Sequence, residues 1–202
     1  SDLDNGAISI GQRVTIRGSG PDAMPAVTDA SSPQILFDAT AGAVRMHVTH
    51  LSGIVNSVVS GQVDIALQAI DRRRTSIFDF TGTGMTPDLD ADPANYEVAT
   101  GNLALANISA GNPIAVRGFP EAFGTAAPDF TGRTVIDFTD VRSALGVGWG
   151  PDGTTAPFLR MGADGLVLDN QNPAIDLRHY IKQGTVLIDL QSLDSDTTIV
   201  PQ

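Results

Sequence analysis

Apolar and polar residues alternate over short stretches, bounded by clusters of Gly, Pro, Asp and Ser, along most of this 202-residue chain. Alternation of period two turns one face of an extended segment to a core and the other to water. Residues 34–38, 63–70, 76–80, 96–100, 134–138, 165–168, 186–190 and 197–200 are therefore predicted as strands. Residues 44–59 fit two patterns: Val44, Val48, Leu51, Val55 and Val58 recur at helical spacing, whereas Val44, Met46 and Val48 alternate as in a strand. Gly53 and the β-branched residues decide for strands. One helix of a turn or two is expected at residues 139–145, capped by Thr139 or Asp140. Short, frequent strands predict an all-β fold, an antiparallel barrel or sandwich with at most one or two short helices.

The pattern also repeats. Ile8-Ser9-Ile10-Gly11-Gln12-Arg13-Val14-Thr15-Ile16-Arg17-Gly18 recurs one hundred residues later as Ile108-Ser109-Ala110-Gly111-Asn112-Pro113-Ile114-Ala115-Val116-Arg117-Gly118, with five of eleven positions identical. Val14 and Ile16 are matched by Ile114 and Val116, and Leu3 by Leu103. A weaker third copy, at residues 181–187, keeps only the Ile, the Gly and an apolar residue at the matching spacing. The unit reads as an apolar anchor, a Gly that turns the chain, a strand with one buried face, and a second Gly where that strand ends or bulges.

Composition sharpens this picture. Of 23 acidic residues 21 are Asp, Lys182 is the sole lysine, and there are 21 Gly and 12 Pro. Asp favours turns, where its carboxylate bonds nearby backbone N–H groups, so long helices are not expected. The net charge of -11 is spread along the chain and repels phosphate backbones, which argues against nucleic acid as a partner. No apolar run is long enough to be a transmembrane segment, no signal peptide is read, and the absence of cysteine removes disulfides, thiolate metal sites and thiol nucleophiles.

With its short apolar anchor, Gly, alternating strand and closing Gly, the repeat resembles the OB-like β-barrel repeat modules of bacterial cell-envelope lipoproteins of uncharacterised function. The resemblance covers residues 1–20 and 41–140. It implies OB-like barrel repeats, with residues 1–40 as terminal strands of a first repeat, 41–140 as a complete unit and 141–202 as a partial β unit packing on the others. It also implies a bacterial envelope or secreted location, periplasmic or anchored at the outer membrane through a segment outside this sequence, and brings no catalytic residues.

Four groups of residues carry candidate chemistry. Asp88, Asp90 and Asp92, followed by Asn95 and Glu97, supply oxygens at alternate positions of a loop between two strands, as a calcium site requires. The sixth loop position is Pro93 and the twelfth is Ala99, where a helix-flanked calcium loop has Gly and a bidentate acid, so a solvated acidic turn competes with this reading. His47 and His50 share a face only on a helix, and with His179 they are the only histidines available for zinc or iron. Arg72-Arg73-Arg74 is the one basic cluster, read either as a solvated hairpin face paired with Asp or as a site for an anionic envelope polymer. Trp149, in Gly148-Trp149-Gly150-Pro151-Asp152-Gly153, is read either as packing over the sheet, the favoured reading, or as stacking on a sugar or a partner; Pro151 and the turn-like sequence after it argue against a dinucleotide loop.

Neither a nucleophile elbow nor a phosphate-binding Walker loop is present. The leading expectation is a non-catalytic binding or structural β-module with no resident cofactor, whose partner is an envelope polysaccharide or another envelope protein. The alternatives are a metal-dependent hydrolase acting on envelope sugars or phosphoesters, and a calcium-stabilised adhesion module.

Overall fold

The computed structural model describes residues 6–20, 38–148, 158–169, 179–190 and 197–200. The fold is all-β: the described residues form strands joined by turns, with three single 3-10 turns and no α-helix.

Strand β1 (Val14–Ser19) pairs antiparallel with β2 (Asp38–Met46) as an isolated hairpin. The central unit follows: β3 (Thr49–Val59), β4 (Gln62–Ile70), the two-residue β5 (Arg73–Arg74), β6 (Tyr96–Ala99), β7 (Pro113–Pro120) and β8 (Phe130–Asp137). Its ladders run from β3 to β7, β8, β6 and β4, and β4 pairs again with β3. All are antiparallel except β6–β8. The seam between β6 and β8 holds only the pairs Val98↔Phe130 and Ala99↔Thr131, so the barrel is not closed along its height. β2 crosses the boundary expected at residue 40, and the ring itself begins at Thr49.

The alternation read in the sequence becomes burial here. Val63, Ile65 and Leu67 of β4 point inward while Asp64, Ala66 and Gln68 stay partly exposed. With Leu51, Val55, Ile70, Tyr96, Val98, Ile114, Val116 and Phe130 they form the core. Two glycines permit the strands to approach: a Cβ on Gly53 would lie 2.5 Å from the Ala66 carbonyl oxygen, and one on Gly118 only 2.0 Å from that of Thr131. The register slips beside both residues, which bends the strands around the core.

The two main repeat copies adopt the same local geometry. Gln12 N–H donates to the Ser9 carbonyl at 3.1 Å and Asn112 N–H to that of Ser109 at 3.1 Å. Gly11 and Gly111 turn the chain at φ +78 and +88. The surroundings differ: Ile114 and Val116 are buried because β7 lies between β3 and β8, whereas Ile16, on a strand with one partner, is 48% exposed. The third copy departs further. Its Ile181 already lies in a strand, and Gly184 turns a hairpin at φ +61.

After the ring come β9 (Ser143–Gly146), β10 (Phe158–Gly162), β11 (Gly165–Leu168), β12 (Tyr180–Gln183), β13 (Val186–Asp189) and β14 (Thr197–Ile199), in two three-stranded sheets ordered β13-β12-β9 and β10-β11-β14. β13 packs against β3, β4 and β7.

Two expectations fail. Residues 76–80 form no strand: Thr75–Ile77 is a 3-10 turn, and the segment is held by the Phe78 and Phe80 rings, 6.3 Å apart, with Phe80 edge-on to Tyr96 at 6.2 Å. Residues 139–145 form no helix either. The Asp137 carboxylate accepts from both Thr139 N (2.8 Å) and Thr139 Oγ1 (2.5 Å), and the chain then enters β9, whose ladder with β12 replaces helical bonding. Residues 34–37 lie outside the described residues, and Asp38 opens β2.

Candidate functional site

The basic cluster sits on a two-residue turn of the ring. β4 and β5 form a two-residue hairpin, with Ile70 opposite Arg73, so Asp71 and Arg72 occupy the turn at φ +46 and +67. Such a turn needs positive φ at both central positions and favours Asn-Gly; Asp tolerates it, while Arg at φ +67 is strained. Packing over-determines the geometry: Asp71 N–H donates to the His50 carbonyl at 2.8 Å, and Asp71 Oδ1 accepts from His50 N at 3.1 Å.

This turn directs the arginines apart. Arg72 and Arg73 line a cleft of about 700 Å³ with Arg13, His50, Ile70 and Phe78, at the end of the ring away from the β3–β4 turn. Arg13 arrives from the first repeat copy, held beside β3 by its backbone N–H to Thr49 Oγ1 at 3.4 Å and by Gln12, whose amide donates to the His47 carbonyl at 2.7 Å. None of Arg13, Arg72 and Arg73 makes an ion pair among the described residues, and the one acid of the cleft, Asp71, has an oxygen engaged by His50 N. Arg74 points the other way and pairs with Asp189 at 2.9 Å. Of the three, Arg74 is thus paired with an acid, and Arg72 and Arg73 line the cleft. A second cavity of about 550 Å³ lies on the Arg74 side, between β4 and the β12–β13 hairpin, its lining including Arg72, Arg74, Tyr180, Lys182, Leu187 and the acid Asp189.

The acidic loop uses its carboxylates locally. Asp88 is exposed, and hydrogen bonds from the Thr86 side chain and from its own backbone N–H hold its carboxyl below the usual carboxylate range. Asp90 Oδ1 accepts from Gly84 N at 2.9 Å, and Asp92 Oδ1 caps Ala94 N at 2.8 Å. Asn95 Oδ1 accepts from the Asn56 amide, and Glu97 Oε1 from Gln62 Nε2 at 3.3 Å. Among the described residues no three His, Asp or Glu side chains come together to hold a metal. The five oxygens expected at one calcium ion instead face separate partners, because short Asp side chains satisfy the turn N–H groups nearest them.

The histidines are dispersed as well. His47 Nε2 bonds Thr15 Oγ1 at 2.7 Å, His50 lines the cleft as the second residue of β3, and His179 is fully buried, its Nδ1 accepting from Gly148 N at 3.2 Å. Burial holds His179 below the usual imidazole range. Trp149 and the rest of its loop to residue 157 lie outside the described residues.

Sequence reasoning missed Asp129. Burial, opposed by the hydrogen bond from Glu97 N at 2.9 Å and reinforced by Glu97, Asp92 and Asp64, pushes its carboxyl up to about 6. Nothing near residue 129 in sequence signals this, because its neighbours arrive from β4, β6 and the acidic loop. Arg13 was missed for the same reason, being 59 residues from Arg72 along the chain. No family model matches the chain, and neither the curated proteins nor the solved structures include one similar to it.

Proposed function

We propose that this chain is a non-catalytic binding module of a bacterial envelope or secreted protein, and that it takes an anionic ligand in the cleft of Arg13, Arg72 and Arg73. The observation that carries the reading is the convergence of three arginines, none of them ion-paired among the described residues, on one cleft of about 700 Å³, in a chain of net charge -11. Guanidinium groups match carboxylate and phosphate oxygens in paired hydrogen bonds, and a cleft of this size suits a small molecule or one end of a polymer. The strained turn at Arg72 supports the reading, since strain of this kind collects at binding sites. The OB-like strand order supports kinship with the envelope modules that the repeat resembles.

The test is isothermal titration of galacturonate and of glucose 6-phosphate, at low and at physiological ionic strength. Binding that weakens with salt, and falls about tenfold or more in Arg72→Gln/Arg73→Gln, is expected. Equal binding by that variant and the parent overturns the site.

A further inference from the structure

We propose that the two cavities beside the β4–β5 turn are consecutive subsites of one groove for an extended acidic polysaccharide, a deeper claim that rests on the anionic-ligand reading above. Arg72 lines both cavities, so they adjoin across the two-residue turn. Each combines a cation with an aromatic wall: Arg13, Arg73 and Phe78 in the first, Lys182 and Tyr180 in the second. A sugar acid presents the matching pair of groups, an apolar ring face and a charged substituent. The Tyr180 ring is a fixed platform, packed so closely on the Gly146 backbone that a Cβ there would fall 2.4 Å from the ring.

Lys182, the sole lysine of the chain, is exposed on β12 between Ala144 and Leu187, with no acid opposite it on either neighbouring strand. Its ammonium makes no ion pair among the described residues, whereas Arg74 in the same cavity is already matched by Asp189. Cavities of about 700 and 550 Å³ each accommodate one or a few sugar units. A monoanion occupies one subsite. A strand crossing Arg72 meets Arg13, Arg73, Arg72 and Lys182 in turn, and the second contact is intramolecular once the first has formed.

The experiment titrates the full chain with galacturonate, oligogalacturonates of increasing length, and inorganic polyphosphate of matched charge. Affinity is expected to rise with oligomer length by about tenfold or more and then level off once both subsites are filled. Lys182→Gln is expected to weaken the long oligomer about two- to fivefold, and by more than it weakens the monomer, and Arg73→Gln to weaken both. Length-independent affinity, or a Lys182→Gln variant that binds long oligomers as the parent does, overturns the two-subsite groove. Polyphosphate binding as tightly as the oligouronate overturns the polysaccharide assignment. If neither uronate nor polyphosphate binds in an Arg73-dependent way, the anionic-ligand reading itself fails, an outcome distinct from failure of the groove alone.

Discussion

Replacing Arg72 with Gly is expected to make the protein more stable and less able to bind. Arg72 occupies the second position of the β4–β5 turn at φ +67, where a Cβ crowds the backbone at a cost of about 1–2 kcal/mol. Glycine removes that cost but leaves a more mobile unfolded chain, which returns about 0.4–1 kcal/mol. The net gain is about 0.5–1 kcal/mol. Arg73→Gly is the control: it removes the same charge one residue along, but in β5, where the backbone is paired with Ile70 and glycine costs about 0.5–1 kcal/mol. The two variants should lose comparable affinity for galacturonate and move the urea midpoint in opposite directions at unchanged m-value. If Arg72→Gly lowers the midpoint, the turn is not strained in the way its φ implies. If it gains stability and keeps full affinity, Arg72 does not serve the cleft.

Three further outcomes are expected. Asp129 keeps its proton in the folded chain up to about pH 6 but loses it near 3.8 when unfolded, so its contribution to stability is complete below pH 3.8 and disappears as pH rises to about 6. Asp129→Asn, which still offers an oxygen to Glu97 N, should therefore exceed the parent by about 1–2 kcal/mol in urea unfolding at pH 7.5, after allowing for partial solvent screening, and match it near pH 3.5. Gly118→Ala should lower the melting temperature through a loss of about 1–3 kcal/mol or more, because its Cβ meets the Thr131 carbonyl and the Phe130 ring; an unchanged melting curve would contradict that packing. Asp90→Ala should cost about 1 kcal/mol equally in calcium and in EGTA, since it removes the acceptor for Gly84 N, and a loss confined to calcium would restore the metal reading of the loop.

Much of the ring was legible in the chain because its strands carry their burial pattern locally: Val63, Ile65 and Leu67 alternate with Asp64, Ala66 and Gln68 whatever lies opposite. The turn geometry of the repeat was legible too, since a Gly at positive φ two or three residues before a strand needs only its own neighbours. Residues 76–80 and 139–145 were misread because their conformations are decided by distant groups, the Phe80–Tyr96 contact in one case and the β9–β12 ladder in the other.

The candidate site divides along the same line. The sequence by itself determined that Arg72, Arg73 and Arg74 lie together at the end of a strand, and that the acids of residues 88–97 fall in a loop. Only the tertiary structure decided that Arg13 joins Arg72 and Arg73, that Arg74 is matched by Asp189, and that Asp88, Asp90 and Asp92 face separate partners. The reason is physical: alternation and turn chemistry are set by bonds between near neighbours. The encounter of charges from the segment before β1, the β4–β5 turn, β5 and β13 depends instead on how twisted strands close on one core.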